Sequence, residues 1–358
     1  MPEHLTLLNK TAFETFCSCG DVVEVRILGA FGKGPWESFA KGTVSGYFDD
    51  HSPFVKAVRA TNKAQHDGIY FTLQRIDPRL IGRAFNKLKA SNLTTSDNNV
   101  RHYRWILVDI DPVRPSGISS SDSELAEAQK TAAAVISWLS EKNFPEPIQA
   151  MSGNGIHLLY GLNDTPVTEA VTRFIKSFLL LLAARFNSDT VSIDTSVFNP
   201  ARICRLYGTT ARKGDSVPAG PNREARPHRG SYIVNLPEPL ETVSEAALKE
   251  IFQLFPKEPE PRPVRNALLS TSTSKLDVAR YLDHYGVRHR IKEKGGSTFY
   301  CLEHCVFDQN HRGNEAAIIQ ADSGKLTYQC FHSSCQGRQW RAARELISGT
   351  DKLINFME

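Results

Sequence analysis

Residues 21–28 (Asp-Val-Val-Glu-Val-Arg-Ile-Leu) alternate in a way that predicts a strand. Segments 42–48 and 68–73 are β-branched and aromatic between turn formers and predict two more. The pattern turns helical over 79–89. At 105–110 a nearly continuous apolar run precedes acidic residues and predicts a buried strand. Ser121 and Glu124 form a capping box that opens a long helix to about residue 142, with Ala, Val, Ile, Trp and Leu on one face. A short strand at 156–160, a long helix at 167–186, a short strand at 190–193 and an amphipathic helix at 244–255 follow. Strands and helices alternate, but the turns and hairpins predict an α+β domain on a mixed sheet rather than a purely parallel one.

Over 256–274 Pro, Glu, Arg, Ser and Thr alternate without apolar period, which predicts a linker. The chain therefore divides into a large domain (1–255), the linker (256–274) and a small domain (275–358). In the small domain 274–285 is helical in pattern, 288–300 suggests a hairpin about Gly295-Gly296, and 316–320 and 326–329 read as strands.

Composition narrows the class. The length of 358 residues fits two domains, and 41% apolar with 23% charged residues is normal for a soluble protein. The net charge of +4 announces no partner. Its distribution says more: Arg202, Arg205, Arg212, Lys213, Arg223, Arg226 and Arg229 crowd one stretch, opposed within it by Asp215 and Glu224, which predicts an anion-binding surface. The most apolar run, 178–184, is too short for a bilayer and is flanked by Arg173, Lys176 and Arg185, so no membrane partner is expected. The first residues carry no basic stretch leading into an apolar one, so a cytoplasmic protein is expected. Of seven cysteines, four lie between 301 and 335, a crowding that points to metal rather than disulfides.

Three motifs carry chemistry. In Trp105-Ile-Leu-Val-Asp-Ile-Asp-Pro112, strand geometry sets Asp109 and Asp111 on one face, where they repel unless a divalent cation such as Mg²⁺ or Mn²⁺ sits between them. Met151-Ser-Gly-Asn-Gly-Ile-His157 is a small-residue turn running into a strand, suited to close approach of backbone N–H groups to an anion, with the His157 side chain free to donate to a phosphate oxygen. In Thr190-Val-Ser-Ile-Asp-Thr195 a third acid, Asp194, follows a short strand and is placed to complete a two-metal site. The Arg/Lys-rich stretch beyond it would neutralise phosphates. Each motif also has a plain alternative: a cap, a tight turn, or a satisfied core histidine. In the small domain Cys305, His311, Cys330 and Cys335 are the preferred ligands of a structural Zn²⁺, with Cys301/His304 as the competing first pair and His332 as a further competitor. Arg338, Arg341 and Arg344 beside Trp340 are either a template contact or an ordinary helix face, and the second reading is preferred.

The order Asp-x-Asp, small-residue turn ending in His, then apolar-Asp resembles the archaeo-eukaryotic primase superfamily (prim-pol). It is closest to phage- and plasmid-type members with Gly-Asn-Gly-x-His and Arg-x-x-Arg-Leu-x-Gly-Thr stretches, here Gly153–His157 and Arg202–Thr209. The likeness covers roughly residues 21–255, and the Cys/His pattern is similar to zinc ribbons beside phage-type primases. It implies an RRM-like sheet, two active-site Mg²⁺ or Mn²⁺ ions, and polymerisation of nucleoside triphosphates on a single-stranded DNA template, as in replication of phage, plasmid or mobile-element DNA. By residue it implies Asp109 and Asp111 as metal carboxylates, Asp194 as the third, His157 as phosphate ligand, and Arg205 and Lys213 as basic contacts. The Ser that many members carry two positions before the motif His is Gly155 here, leaving Ser152, Asn154 and the backbone amides of the turn as nucleotide contacts. No Walker motif is present, so any helicase activity is expected elsewhere, in a replicative helicase as partner or in a longer chain of which this is the front part. The competing functions are a non-catalytic single-stranded nucleic-acid binding module and a metal-dependent phosphodiesterase; dependence on triphosphates separates them.

Overall fold

A computed structural model of the chain describes residues 12–18, 20–91, 93–115, 117–221, 223–255, 275–309, 311–332, 335, 338–349 and 351–357, with backbone only at 313 and 314. The chain divides into two compact units, Met1–Lys257 and Glu258–Glu358. The linker expected at 256–274 lies outside the described residues.

The N-terminal unit is built on two sheets. The first has the order β10-β3-β1-β2-β5, from β1 (Val23–Gly32), β2 (Ala40–Phe48), β3 (Gly68–Thr72), β5 (Lys89–Ala90) and β10 (Ile203–Arg205). The second has the order β13-β7-β8-β6-β4, from β4 (Arg75–Ile76), β6 (Val100–Pro112), β7 (Ile148–Met151), β8 (Ile156–Pro166) and β13 (Tyr232–Asn235); β9 (Val191–Ile193) also pairs with β6. A two-stranded ribbon joins β11 (Thr210–Ala211) to β12 (Arg229–Gly230). Every pairing between these strands is antiparallel, which corrects the expected mixed sheet. Neighbours in the sheets run oppositely, so no helix has to cross over between parallel partners.

Helix α1 (His51–Thr61) packs on β2 and was not expected from sequence, although its signals are there: Asp50 accepts the Ser52 N–H at 2.7 Å, and Phe54, Val55 and Val58 share one buried face. Helix α2 (Asp122–Ser140) opens on the foreseen capping box, with Ser121 N–H donating to Glu124 at 2.9 Å and Glu124 N–H to Ser121 at 3.3 Å. It lays Leu125, Ala128, Ala132, Val135 and Leu139 against the second sheet. Helix α3 (Glu169–Phe186) packs beside it, and α4 (Glu245–Gln253) on α3. Over 79–89 the expected helix is a short 3₁₀ helix, Pro78–Arg83. Beyond it the backbone is recruited to the sheet edge, where Asn86 N–H donates to Tyr47 and Ser91 N–H to Thr43. Among the described residues no helix is long and apolar enough to cross a membrane.

The first sheet also holds a buried charge in β1. Glu24 is fully buried, takes two hydrogen bonds from Arg26 (3.1 and 2.6 Å), one from Ser45 (2.6 Å) and one from the Thr95 N–H (3.0 Å). The network ties the segment before β6 to the sheet.

The C-terminal unit is a four-stranded antiparallel meander, β14 (His289–Lys294), β15 (Ser297–His304), β16 (Arg312–Ala321) and β17 (Leu326–Cys330), with α5 (Val278–His284) and α6 (Trp340–Ser348). Tyr281, Leu282, Leu302, Ile318 and Ala343 form its small core. On α6, Trp340 packs against Tyr281, and Arg344 donates to the Asp351 carbonyl at 2.7 Å.

Removing one member of the buried network leaves the other charge unpaired, so Glu24→Ala is expected to lower unfolding free energy by about 3–5 kcal/mol. Glu24→Met with Arg26→Met should recover only part of that loss, because the Ser45 hydroxyl and the Thr95 N–H still lack an acceptor, as read by urea denaturation.

Candidate active site and a Cys3His cluster

Strand β6 is buried on both faces. Ile106, Val108 and Ile110 are completely buried on the side where α2 packs. Trp105 points the other way, edge-on to Phe16, which in turn meets Phe71 of the first sheet. Residues two apart share a side, so Leu107, Asp109 and Asp111 follow Trp105 into a cavity of about 260 Å³ that Leu28 and Tyr70 of the first sheet close.

Register places the partners of Asp109. Across β8 it lies directly opposite His157. On its other side Ile110 pairs with Ile193, and the Asp194 N–H donates to the Asp109 carbonyl at 2.9 Å. His157, Asp109 and Asp194 thus form a row across three strands, with Asp111 one pleat further on; all four line the cavity. The Asp194 carboxylate accepts the Ser196 N–H at 2.7 Å. The three acids share the cavity without closing into a tight ligand set. Among the described residues only the C-terminal cluster below gathers its donor atoms within 4.8 Å.

His157 is not the free donor expected from sequence. It is 5% exposed, with Nδ1 2.8 Å from the Tyr207 hydroxyl and Nε2 3.4 Å from Asp109 Oδ1. Cys204 Sγ completes the nest, 3.5 Å from Nδ1 and 3.4 Å from the phenol oxygen. Burial alone would lower the imidazole pKa, but Asp109 and Cys204 hold it well above its ordinary value. Burial likewise opposes ionisation of Asp109, and His157, with Lys213 and Arg202 beyond, outweighs it and keeps this carboxyl below its ordinary range. Asp111 goes the other way. Burial and the Asp109 charge push it up to about 6, against Arg114 at 3.6 Å. Asp109 Oδ1 is buried, with His157 Nε2 at 3.4 Å as its polar neighbour.

The small-residue turn supports this pair from below. Ser152 is engaged within the turn, its Oγ accepting the Gly155 N–H at 3.0 Å and its own N–H donating to the Gly155 carbonyl at 2.9 Å. Asn154 is buried; its side-chain oxygen accepts the Ser120 N–H at 3.0 Å and its carbonyl the Ser120 hydroxyl at 2.6 Å, which fastens the turn to the start of α2. A Cβ on Gly155 would lie 2.4 Å from the Ile110 carbonyl oxygen and 2.5 Å from Asp111 Oδ1. A side chain at this position would therefore occupy the place of the Asp111 carboxylate.

The basic stretch splits. Arg202, Arg205 and Lys213 line the cavity, joined by Arg114, which sequence reasoning missed. Arg205 lies 4.3 Å from the Tyr70 ring centre and donates to its hydroxyl at 2.9 Å, while its Nη1, like Arg202 Nε, is buried with no hydrogen-bond partner. The others do not form the single anion-binding surface expected. Arg226 forks onto Glu124 (2.6 and 2.8 Å), Arg229 pairs with Asp122 (2.6 Å), Arg212 holds His66 (2.8 Å) and Arg223 the Pro218 carbonyl (3.1 Å). The acids of the first turn of α2, remote in sequence, neutralise two of them.

In the C-terminal unit the structure brings together Cys305, His311, Cys330 and Cys335. Cys305 and Cys335 sulfurs are 3.5 Å apart, and His311 Nδ1 is 3.4 Å from Cys335 and 3.8 Å from Cys330. A tetrahedral ion bonded at ~2.0–2.3 Å sets its ligand atoms roughly 3.3–3.8 Å apart, so the group fits one. His311 Nε2 faces Asp308 at 3.4 Å, the support a metal-binding imidazole commonly has. Burial opposes a thiolate at Cys305, but donors from Tyr328, His311 and the Phe307 N–H bring its thiol down to about 6. The rival pair is not in the cluster: Cys301 is buried in β15, and His304 Nδ1 bonds the Gln309 carbonyl at 3.0 Å. His332 stacks on His311 at 3.6 Å with its Nε2 3.2 Å from Glu315.

No family model matches the chain, and no curated protein does. Two solved structures are similar. The AEP domain of the cyanophage S-2L primase-polymerase (PrimPol) is 14% identical, with a TM-score of 0.38 over 71% of this chain and 98% of that one. The primase RepB′ is 11% identical, with a TM-score of 0.36 over 69% of this chain and 62% of that one. Likenesses this distant assign no activity, and what the cavity can do follows from its own residues.

The raised Asp111 has a thermodynamic signature. Between its ordinary value of 3.8 and about 6 the folded chain binds more protons than the unfolded one, so this group destabilises the fold progressively as pH climbs through that window and fully above it. Without divalent metal, Asp111→Asn is expected to stabilise the N-terminal unit at pH 7.5 and to have little effect at pH 4. For a carboxylate 39% exposed, solvent screening limits the gain to about 1 kcal/mol. Thermal melts at the two pH values, followed by tryptophan fluorescence, read the difference.

Proposed function

We propose that the N-terminal unit is a template-directed nucleotidyltransferase, a primase-polymerase that joins nucleoside triphosphates on single-stranded DNA. One observation carries the reading: buried guanidinium atoms without a hydrogen-bond partner, Arg205 Nη1 and Arg202 Nε, belong to residues that border one cavity with the mutually repelling carboxylates Asp109 and Asp111. A buried polar atom without a partner is costly unless a ligand completes it. Carboxylates at one side and guanidinium groups at the other suit a substrate that arrives as a metal–polyphosphate complex.

Asp109, Asp111 and Asp194 would hold Mg²⁺ or Mn²⁺, which supplies positive charge at the attacking and leaving oxygens. The proximity and repulsion of Asp109 and Asp111 fit that role. Arg202, Arg205, Lys213 and Arg114 would neutralise the triphosphate as the 3′-oxygen of the primer attacks the α-phosphorus and pyrophosphate leaves. His157, fixed by Tyr207, would present Nε2 between Asp109 and the phosphates. The turn at Ser152, Asn154 and Gly155 contributes by seating Asp111 and bordering the nucleotide. In the C-terminal unit Cys305, His311, Cys330 and Cys335 would bind a structural Zn²⁺; four protein ligands leave no position for a reacting water. A replicative helicase, and a setting in phage, plasmid or mobile-element replication, would accord with this activity.

Primer synthesis on single-stranded DNA with labelled nucleotides and Mg²⁺ or Mn²⁺ tests the core of the proposal. Asp109→Ala with Asp111→Ala should reduce products by about 10³-fold or more, whereas Arg205→Ala should act mainly by raising KM for the nucleotide. Products released from pre-formed DNA without triphosphates would replace polymerase by phosphodiesterase. No product with retained template binding would leave a binding module.

For the second unit, elemental analysis should find one zinc per chain. Cys335→Ser or strong chelation should melt this unit selectively, because its core is too small to fold well without a staple. Full retention of its far-UV signal and melting temperature after complete metal removal would exclude a structural ion.

A further inference from the structure

Strands β1 and β2 are joined through residues 33–39, and this tip is anchored and exposed at once. Trp36 is 1% exposed and donates its indole N–H to the Gly32 carbonyl at 3.0 Å. A Cβ at Gly34 would come within 2.3 Å of the Trp36 ring, so a glycine there lets the chain fold closely over the indole. With the tip pinned in this way, Phe31 and Phe39 stand outward, 51% and 62% exposed, with ring centres 5.5 Å apart and planes at 76°. Two adjacent exposed phenylalanines on a fixed hairpin have a cost in water that a binding partner would remove.

The surrounding charge selects the partner. Lys41 is paired with Phe31 in register, and Lys33 lies two residues beyond it; both are exposed. Of the nearby acids, Glu37 is paired with Lys87 at 3.5 Å, and Asp67 lies beside Gly29, on the cavity side of the two phenylalanines. Aromatic faces flanked by lysines suit stacked bases on a phosphate backbone better than they suit an aliphatic protein surface. The hairpin also continues the wall of the active-site cavity. Leu28 of the same strand lines that cavity, and Phe31 follows it by about 10 Å of strand.

We infer that Phe31 and Phe39 form a stacking platform for unpaired bases of the single-stranded template just outside the cavity, with Lys33 and Lys41 holding its phosphates. The inference deepens the polymerase reading and rests on it for the identity of the strand. Its test is independent of catalysis. Binding of labelled oligothymidylate to the full chain, without nucleotides or added Mg²⁺, is compared with binding of a base-free (abasic) strand of equal length. The intact chain should prefer the strand with bases by about tenfold or more. Phe31→Ala with Phe39→Ala should abolish that preference while leaving abasic-strand binding unchanged, and Phe31→Tyr with Phe39→Tyr should restore it. Both variants change exposed side chains, and unchanged thermal melts confirm their folding. Equal binding of the two strands by the intact chain, or an undiminished preference in the alanine variant, would overturn the platform and leave the pair to a protein partner. If the Asp109/Asp111 variant synthesises normally while the preference persists, the polymerase reading fails and the platform stands.

Discussion

Two carboxylates on alternate residues of one strand, half-withdrawn from water, repel each other, and the N-terminal unit is arranged around that repulsion. Asp109 is kept ionised by His157, and Asp111 consequently bears the penalty. His157 is held by Tyr207 and Cys204, which sit in and just beyond the edge strand of the other sheet. Asp111 in turn fits only because position 155 lacks a side chain. The facing of the two sheets, the tight turn before β8 and the short strand β9 all serve one local electrostatic problem, which a bound cation would relieve.

What could be read from sequence was what is local. The capping box of Ser121 and Glu124, the two-residue period that sets Asp109 beside Asp111, and the apolar run of β6 depend on neighbours a few residues apart. The antiparallel pairing did not declare itself, because a strand's own pattern does not name its partner. The basic stretch misled for the same reason. Arg226 and Arg229 look unopposed until α2 brings Glu124 and Asp122 to them from about a hundred residues away. Tyr70 and Arg114 lie in no motif, and Tyr207 fills an unspecified position of one; all three become site residues only through the register and the turn that place them. Helix α1 was legible in principle, through Asp50 and the Phe54–Val58 spacing, but Pro53 within its first turn masks the pattern.

The C-terminal unit shows the opposite balance. Spacing alone could not choose between Cys301/His304 and Cys305/His311, since either pair is chemically sound. The fold separates the two pairs: Cys301 is committed to strand β15, whereas Cys305 and His311 stand on either side of the turn after it, near Cys330 at the end of β17 and Cys335 beyond it. Without an ion, a core of this size has little to hold four strands and two short helices together.

The row formed by His157, Asp109 and Asp194 exists only because β8, β6 and β9 are aligned residue for residue. Inserting or deleting a single residue within any of these strands would turn its charged group away into the hydrophobic layer. Descendants of this chain can therefore vary the site by exchanging side chains, but not by changing strand length. The room for length change in this unit lies in its connections, such as the segments after Pro112 and after Thr195, where additions would leave the alignment intact.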